Sequence, residues 1–467
     1  MNEEHFPKAN WLPILAGLSW LLALGGDGFV SFLLAVLPGA LLLAGGVATF
    51  LLPGDLRTQQ ITALGGALGM ILALPAILAG GFGVALLLLL LSAGSFVAAG
   101  WIAQQFEPEY DDVPEAALSP VLAAKVALDE AVLGTMLLSA MQPDRAERHA
   151  SVEEIVRAEV LFRERGWLEK PAAYHVDPPE LREPELTQAR TRNIEFEHMR
   201  FESGYEPDPA MPGRERWLDY SRNRTAHAWV LRHSGEPRPW LVCIHGYGMG
   251  APAIDFGAFQ PALLHRQLGL NLVLPILPLH GPRKVGRRSG REFIGGYYLN
   301  TLHAEAQAMW DVRRILSWVR AEGAPRVGVY GLSLGGYTTA LLSCLDGDLA
   351  CAIPGIPATD FVRLGRRYST PMLLREAEAI GLSWEDIENV FRVVSPLALE
   401  PKVAPERRYI FGGIADRLVP PDQVRDLWLH WSKPRIAWYA GSHLSFGWEP
   451  EVKALLRDAL NETLLPV

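Results

Sequence analysis

Hydrophobic and polar residues divide this chain into two very different parts. From residue 11 to residue 103 the only charged residues are Asp27, Asp55 and Arg57, which is too apolar for a surface in contact with water. Four apolar segments, at residues 11–24, 29–52, 61–79 and 84–103, are separated by glycine-rich or polar breaks. Because about 20 apolar residues form a helix that crosses a bilayer, we predict an all-α transmembrane anchor of about four spans over residues 1–104.

Three features of this anchor limit what it does. The chain starts with the acidic sequence Met1-Asn2-Glu3-Glu4, so a cleaved signal peptide is not expected. Gly65 and Gly69 are four residues apart in the third segment, a spacing that lets a neighbouring helix approach closely. No charge lies inside any span, which argues against a transporter with an appended domain. Whether the short first segment spans is left open.

The orientation of the anchor depends on two cations. Lys8 and Arg57 share one side of the membrane with the C-terminal domain if all four segments span. Positive charges favour the cytoplasmic side. We therefore expect a multi-pass membrane protein whose C-terminal domain is cytoplasmic, and Arg57 favours the same side if the first segment does not span.

Residues 105–190 are interpreted as a linker and helical connecting region. They begin acidic and proline-bearing, and residues 121–141 then have the apolar stripe of a helix. Its charges, Lys125, Asp129 and Glu130, are few and of mixed sign, so packing on the C-terminal domain is favoured over the membrane surface. Ser151 and Glu154 form a capping box that predicts the start of a second helix, which ends at Gly166. Residues 174–185 are predicted to be a loop.

From residue 191 to residue 467 apolar runs alternate with helical patterns. Predicted strands cover residues 194–202, 225–232, 240–244, 270–277, 327–330, 349–353, 408–411 and 435–440. Helices are predicted at residues 301–320, 337–344 and 450–460. Near-continuous apolar strands that alternate with helices indicate an α/β fold with a mostly parallel, doubly wound sheet.

Candidate catalytic residues follow three of these strands. Ser333 lies in Gly331-x-Ser333-x-Gly335, Asp416 follows the strand that ends near residue 411, and His443 follows the last strand. Ligands of parallel sheets bind outside the carboxyl ends of the strands. The order Ser, Asp, His along the chain is that of α/β-hydrolases.

With these motifs the chain resembles the α/β-hydrolase superfamily, particularly its esterase, lipase and serine-peptidase-like members. The matching pieces are His245-Gly246, the Ser333 motif, residues 412–420 and residues 441–443. The resemblance covers residues 194–460 and does not account for the membrane segments. It implies an α/β-hydrolase fold, with the backbone amides of Tyr247 and Leu334 as oxyanion donors.

The proposed chemistry needs three side chains. Ser333 is the predicted nucleophile, His443 the base that becomes the acid, and Asp416 the carboxylate that orients the imidazole. Asp360, which ends the preceding strand, is an alternative to Asp416.

Further residues near the predicted site have structural or binding roles. His245 and His280 lie at strand ends, and a loop-fixing role is favoured over catalysis. The cations between residues 280 and 301 form either a solvated loop or a rim that attracts anionic groups; they are Arg283, Lys284, Arg287, Arg288 and Arg291. Residues 360–396 are interpreted as an inserted lid.

The composition excludes several other classes of protein. The net charge is −9 and the pI is about 5.8, so no nucleic-acid partner is expected. The three cysteines lie in apolar stretches and the 12 histidines form no metal motif, so neither a disulfide framework nor a metal or other cofactor is predicted.

The resulting hypothesis is a membrane-anchored serine hydrolase acting on a small-molecule or lipid ester. An acyltransferase, a serine peptidase and a non-catalytic membrane scaffold are the alternatives. The substrate and the oligomeric state stay open.

Overall fold

A computed structural model describes residues 11–26, 28–139 and 144–465, and the chain divides into two compact units. Lys8 and Asp27, used above, lie outside the described residues. The first of the two compact units, which we call the helical unit, comprises Met1–Met141, Gly413–Asp422 and Trp438–Pro450. The second, the sheet unit, comprises Gln142–Gly412, Gln423–Ala437 and Glu451–Val467.

The helical unit contains the apolar N-terminal helices. They are α1 (Trp11–Leu24), α2 (Phe29–Leu51), α3 (Arg57–Gln105) and α4 (Pro120–Ser139). The third and fourth predicted segments are joined in α3, whose helical geometry is interrupted at Gly81 by a φ of +77°. By length and composition, α2 and α3 are able to cross a membrane.

Glycines allow these helices to pack closely. A Cβ on Gly65 would lie 2.9 Å from the backbone nitrogen of Leu42, which confirms the predicted close approach at this glycine. A Cβ on Gly100 would overlap the carbonyl oxygen of Ala123, so α4 lies directly against α3. Large apolar side chains instead point away from the packed helices: Leu22 is 83% exposed and Leu78 is 92% exposed.

The sheet unit is built on nine strands within the described residues. They are β1 (Glu185–Thr191), β2 (Ile194–Glu202), β3 (Thr225–Leu231), β4 (Trp240–Ile244), β5 (Asn271–Pro275), β6 (Val327–Leu332), β7 (Cys351–Gly355), β8 (Tyr409–Gly413) and β9 (Arg435–Tyr439). Their order is β1-β2-β3-β5-β4-β6-β7-β8-β9. The first three strands are antiparallel to their neighbours, and β5, β4, β6, β7 and β8 run parallel. This arrangement confirms the predicted α/β-hydrolase fold class.

The remaining helices follow the strands or precede the sheet. They are α5 (Arg145–Glu164), α6 (Arg214–Asp219), α7 (Pro252–Phe259), α8 (Arg291–Ile294), α9 (Tyr298–Ala321), α10 (Leu334–Leu345), α11 (Phe361–Tyr368), α12 (Pro371–Ala379), α13 (Trp384–Phe391), α14 (Pro421–His430) and α15 (Pro450–Thr463). Helices α11 to α13 occupy the segment predicted to be a lid.

Two local predictions need correction. The capping box of α5 is formed by Asp144 and Glu147, not by Ser151 and Glu154. The Asp144 carboxylate accepts the Glu147 amide at 2.8 Å, and the Glu147 carboxylate accepts the Asp144 amide at 3.1 Å. The first strand was predicted to start at residue 194, whereas β1 begins at Glu185 and pairs with β2.

Candidate active site

Ser333 occupies a strained turn between β6 and α10. Its φ of 57° and ψ of −112° lie outside the regions that residues with a Cβ ordinarily adopt. The turn is held from both sides: the Ser333 amide donates to the Gly355 carbonyl at 2.9 Å, and the Ser333 carbonyl accepts from the Tyr337 amide at 3.0 Å. The side chain is partly exposed. A serine presented in this way has the backbone geometry of a nucleophile elbow.

The flanking glycines are required by space. A Cβ on Gly331 would overlap the Gly335 carbonyl and the Thr339 hydroxyl. A Cβ on Gly335 would overlap the carbonyl oxygen of Ile244, the last residue of β4. The sequence Gly-x-Ser-x-Gly therefore lets α10 start directly against the end of β4.

The loop after β4 lies beside the elbow. A Cβ on Gly246 would be 3.5 Å from the Ser333 Cβ. Leu334 is the first residue of α10, and amides in the first turn of a helix have no acceptor within that helix. Tyr247 follows Gly246 directly. The assignment of the Leu334 and Tyr247 amides to an oxyanion hole stays a prediction.

Asp416 and His443 form a hydrogen-bonded pair within the helical unit. The Asp416 Oδ2 and the His443 Nδ1 are 2.7 Å apart, and both side chains are buried. The Asp416 Oδ1 accepts the amides of Leu418 and Val419 at 2.9 and 2.8 Å. Since a carboxylate only accepts hydrogen bonds, Nδ1 carries the proton and Nε2 of the neutral imidazole is the basic atom.

The pKa of His443 reflects opposing effects. Burial lowers it, but the charge of Asp416, the hydrogen bond to Asp416 and the charge of Asp129 together raise it above its usual value of 6.5. The imidazolium that forms when this residue accepts a proton is therefore stabilised.

Asp360, the alternative acid, is used elsewhere. It is the N-cap of α11, and its carboxylate accepts the Arg363 amide at 2.9 Å. The structure thus pairs the imidazole of His443 with Asp416 and gives Asp360 a helix-capping role.

His245 and His280 bond to backbone groups of the loops that follow β4 and β5. His245 Nε2 accepts the Leu277 amide at 3.1 Å, and its Nδ1 lies 2.8 Å from the Gly246 carbonyl. His280 Nδ1 lies 2.9 Å from the Pro278 carbonyl, and burial lowers the pKa of His280 to about 3. Such bonds fit the predicted loop-fixing role.

Arg283 does not belong to a cationic rim, which corrects the prediction for this residue. It is fully buried, and its guanidinium pairs with Asp311 at 2.9 Å. The same group donates to the carbonyls of Ile276 and Asn223 at 2.9 and 3.0 Å. A buried cation requires such partners, so the Asp311 carboxylate explains why this arginine lies inside. Arg287, Arg288 and Arg291 are exposed.

The lid segment contacts the elbow helix through aromatic rings. Phe361 of α11 stacks on Tyr337 of α10 at 4.1 Å between ring centroids. Phe361 also meets the edge of Phe293 at 5.9 Å.

Two surface clefts of about 720 and 630 Å³ lie along β1, β2 and β3, and Ser333 does not line either of them.

Sequence reasoning missed one buried carboxylate that contacts the acid and base loops. Asp129 of α4 is fully buried and accepts the backbone amides of Arg417 and His443 at 3.0 and 2.8 Å. The adjacent Glu130 is also fully buried and pairs with the Arg417 side chain at 2.7 Å. Two adjacent acids in an otherwise apolar helix were the only available signal.

Comparisons with known proteins give a relationship in sequence and weaker likenesses in structure. No family model matches the chain. The chain is 40% identical over 381 residues to the uncharacterized protein Rv2627c of Mycobacterium tuberculosis strain H37Rv. The match covers 79% of this chain and 89% of that protein. The uncharacterized protein MT2702 of strain CDC 1551 matches with the same identity and coverage.

Among solved structures, the chain is similar to acetyl xylan esterase from Paenibacillus sp. R4. The identity is 16% and the TM-score 0.43, covering 62% of this chain and 98% of that one. For acetyl xylan esterase 1 from Thermoanaerobacterium sp. the identity is 14% and the TM-score 0.44, and the match covers 70% of this chain and 99% of that one. For Pyrococcus horikoshii acylaminoacyl peptidase the identity is 15% and the TM-score 0.37, and the match covers 62% of this chain and 43% of that one. At these identities and TM-scores, the likenesses carry no argument about activity.

Proposed function

The chain belongs to the same family as the Mycobacterium tuberculosis protein Rv2627c, within the α/β-hydrolase superfamily, and we propose that it is a serine hydrolase that cleaves carboxylic esters through an acyl-enzyme. The observation that carries the proposal is the combination of a strained Ser333 elbow with a buried Asp416–His443 pair. Catalysis by a nucleophilic serine requires both a presented hydroxyl and an imidazole that is oriented by a carboxylate.

In the proposed reaction Ser333 Oγ attacks the ester carbonyl while His443 Nε2 accepts the hydroxyl proton. Asp416 keeps the imidazole in the Nδ1–H tautomer and stabilises the imidazolium. The oxyanion is bound by the amides of Leu334 and Tyr247. When the carbonyl re-forms, the bond to the alcohol breaks and the alcohol leaves with the proton from His443. Water then attacks the acyl-enzyme with His443 as base, the bond from the acyl carbon to Ser333 Oγ breaks, and the acid is released while His443 returns the proton to Ser333.

The topology of the sheet supports this assignment of roles. β6 and β8 run in the same direction, because each is parallel to β7 between them. Ser333 directly follows β6, and Asp416 comes three residues after β8. In parallel sheets of this kind, active sites form from the loops at the carboxyl ends of the strands.

We further propose that the N-terminal helices hold the enzyme at a membrane, as a multi-pass anchor with the sheet unit in the cytoplasm. The exposed apolar side chains of the helical unit, such as Leu22 and Leu78, support a lipid-facing surface. Arg57, the cation used for orientation, is paired with Asp55. An enzyme held there would act on a lipid or another amphiphilic ester.

A series of p-nitrophenyl esters tests the activity and the substrate class together. The full chain, purified in detergent, is assayed with acyl groups from acetate to palmitate. We expect hydrolysis that prefers the longer chains and is lost in Ser333→Ala. Ser343→Ala removes a buried hydroxyl from the same helix and is the matched control, expected to retain activity. Activity on short esters alone would overturn the lipid substrate, and equal activity of Ser333→Ala would overturn the serine mechanism.

A further inference from the structure

α4 carries a carboxylate that holds the loop of the proposed base. Asp129 Oδ2 accepts the His443 amide at 2.8 Å, and Oδ1 accepts the Leu444 amide at 3.2 Å. The same Oδ2 accepts the Arg417 amide at 3.0 Å, next to Asp416. One fully buried side chain is thus bonded to the backbone on both sides of the Asp416–His443 pair.

A second side chain of α4, one turn earlier, holds the same loop. Lys125 Nζ donates to the Ala440 carbonyl at 3.1 Å and pairs with Glu449 at 2.7 Å. Residues four apart lie on one face of a helix, so Lys125 and Asp129 together bind residues 440–449 at several points. This loop carries His443.

The other acid of α4 binds a different group. Glu130 pairs with the guanidinium of Arg417, which also pairs with Glu107. Neither contact reaches the imidazole of His443. The dipeptide Asp129-Glu130 therefore offers two adjacent buried carboxylates: Asp129 bonds to the backbone of the histidine loop, and Glu130 pairs with the Arg417 side chain.

We propose that Asp129 is a positioning residue of the active site, which fixes the loop of His443 through two backbone amides and the loop of Asp416 through a third, and adds a second carboxylate next to His443. This inference rests on the proposed function in that it assigns Asp129 to the serine-hydrolase site. Hydrogen bonds from amides to a buried carboxylate are stronger than neutral ones, and they restrict the loop to one arrangement.

The charges around this site explain why Asp129 acts on the imidazole. Charged and titratable groups of the neighbouring segments include Glu107, Asp416, Arg417, His443 and Glu449, and α4 itself adds Lys125 and Glu130. Burial and the charge of Asp416 raise the pKa of Asp129 to about 7, although His443 and the backbone hydrogen bonds act to lower it. The charge of Asp129 in turn helps to raise the pKa of His443.

The contact also ties the proposed base to the N-terminal helices. α4 packs along α3, since a Cβ on Gly100 would overlap Ala123 and a Cβ on Gly134 would lie 2.5 Å from the Gln60 carbonyl. Anything that displaces α4 therefore moves Asp129 away from the His443 amide. The helical segment acts as part of the catalytic framework as well as an anchor.

The test compares Asp129→Asn with Glu130→Gln in the full chain in detergent. The pKa of His443 is measured by NMR of ¹⁵N-histidine-labelled protein, with the signal identified by its loss in His443→Gln. The rate of Ser333 labelling by a fluorophosphonate is measured in parallel. Asp129→Asn is expected to lower the pKa of His443 and to slow labelling by about tenfold. Glu130→Gln loses a buried charge of the same kind but should leave both readouts near the wild-type values.

Asp129→Glu keeps the charge but moves the carboxylate by one methylene. It should retain the raised pKa of His443 and still label slowly, and it replaces Asp129→Asn if that variant does not fold. The proposal is overturned if the Asp129 variants label at the wild-type rate with an unchanged pKa, or if Glu130→Gln produces the same changes. A wild-type protein that is not labelled at all contradicts the serine-hydrolase function, whereas the NMR titration still decides whether Asp129 acts on His443.

Discussion

The carboxylate of Asp129 lies 2.8 Å from the backbone nitrogen of His443, although 314 residues separate the two along the chain. The Asp416 carboxylate lies 2.7 Å from the imidazole of the same histidine. His443 is therefore held by one acid through its ring and by another through its backbone. Each carboxylate, when ionised, favours the protonated imidazole, and this relationship has a direct consequence for pH dependence.

Activity is expected to fall on the acidic side at a pH above the ordinary histidine value. The base must be neutral to accept the serine proton, and the pKa of His443 is raised above 6.5 by Asp416 and Asp129 against the effect of burial. The acidic limb of kcat/KM, measured from pH 5 to 9, should have its midpoint above 6.5. A midpoint at or below 6.5 would contradict this electrostatic account.

The same shift affects stability with a defined sign. The pKa of His443 is higher in the folded than in the unfolded chain. His443 therefore makes its full contribution to the free energy of unfolding at pH values below its pKa in the unfolded chain. This contribution is lost as the pH rises through its pKa in the folded chain.

Asp416 and Asp360 are expected to differ sharply when each is replaced by asparagine. Asp416→Asn removes the carboxylate that selects the Nδ1–H tautomer, and the corresponding change in a serine protease lowers kcat by about 10⁴. Asp360→Asn keeps a capping side chain at the start of α11, so activity should stay close to that of the wild type. Steady-state ester hydrolysis measures both, and the opposite ranking would identify Asp360 as the acid.

Gly335→Ala should damage the elbow. The added methyl would overlap the Ile244 carbonyl at the end of β4, and overpacking of this kind costs about 1–3 kcal/mol. We expect a lower thermal midpoint and the loss of ester hydrolysis. The control is Gly257→Ala in α7, where a Cβ meets no atom within 4 Å. A Gly335→Ala protein as stable and as active as the control would show that the turn does not need this glycine.

Gly100→Val should separate α3 from α4. The new side chain would overlap the Ala123 carbonyl, and the displaced α4 would weaken the bond from Asp129 to the His443 loop. We expect a slower ester hydrolysis together with a lower thermal midpoint. Gly83→Ala, in the same helix, adds a Cβ to open space and should change neither. Unchanged hydrolysis in a folded Gly100→Val protein would argue against a link between the N-terminal helices and the base.

Much of the sheet unit is predictable because its strands are apolar and short. The predicted strand at residues 194–202 coincides with β2, and that at residues 240–244 coincides with β4. β1 escaped prediction because its sequence, Glu-Leu-Thr-Gln-Ala-Arg-Thr, has no buried face and forms only by pairing with β2. The start of α5 was misplaced because Asp144-x-x-Glu147 and Ser151-x-x-Glu154 are both capping patterns, and sequence alone does not show which one the helix uses.

The pairing of Asp416 with His443 was predictable in part. Both residues follow strands, and their order along the chain suggested that they belong together. Arg283 was expected in a solvated loop or on a cationic rim because a cation in a loop is normally solvated, and its partner Asp311 is distant in sequence. The role of Asp129 was overlooked because its hydrogen-bond partners lie about 290 and 314 residues away along the chain, and a local sequence pattern does not predict contacts of this kind.

The most direct test of the central claim is to locate the covalent adduct of a fluorophosphonate on the full chain. The reagent is attacked by an activated serine, and the labelled protein is digested and its peptides are analysed by mass spectrometry. The account predicts a single phosphonylated residue, Ser333, in the wild type and in Ser343→Ala, and no adduct in Ser333→Ala or His443→Gln. An adduct on another serine, or none on an intact wild-type protein, would contradict it.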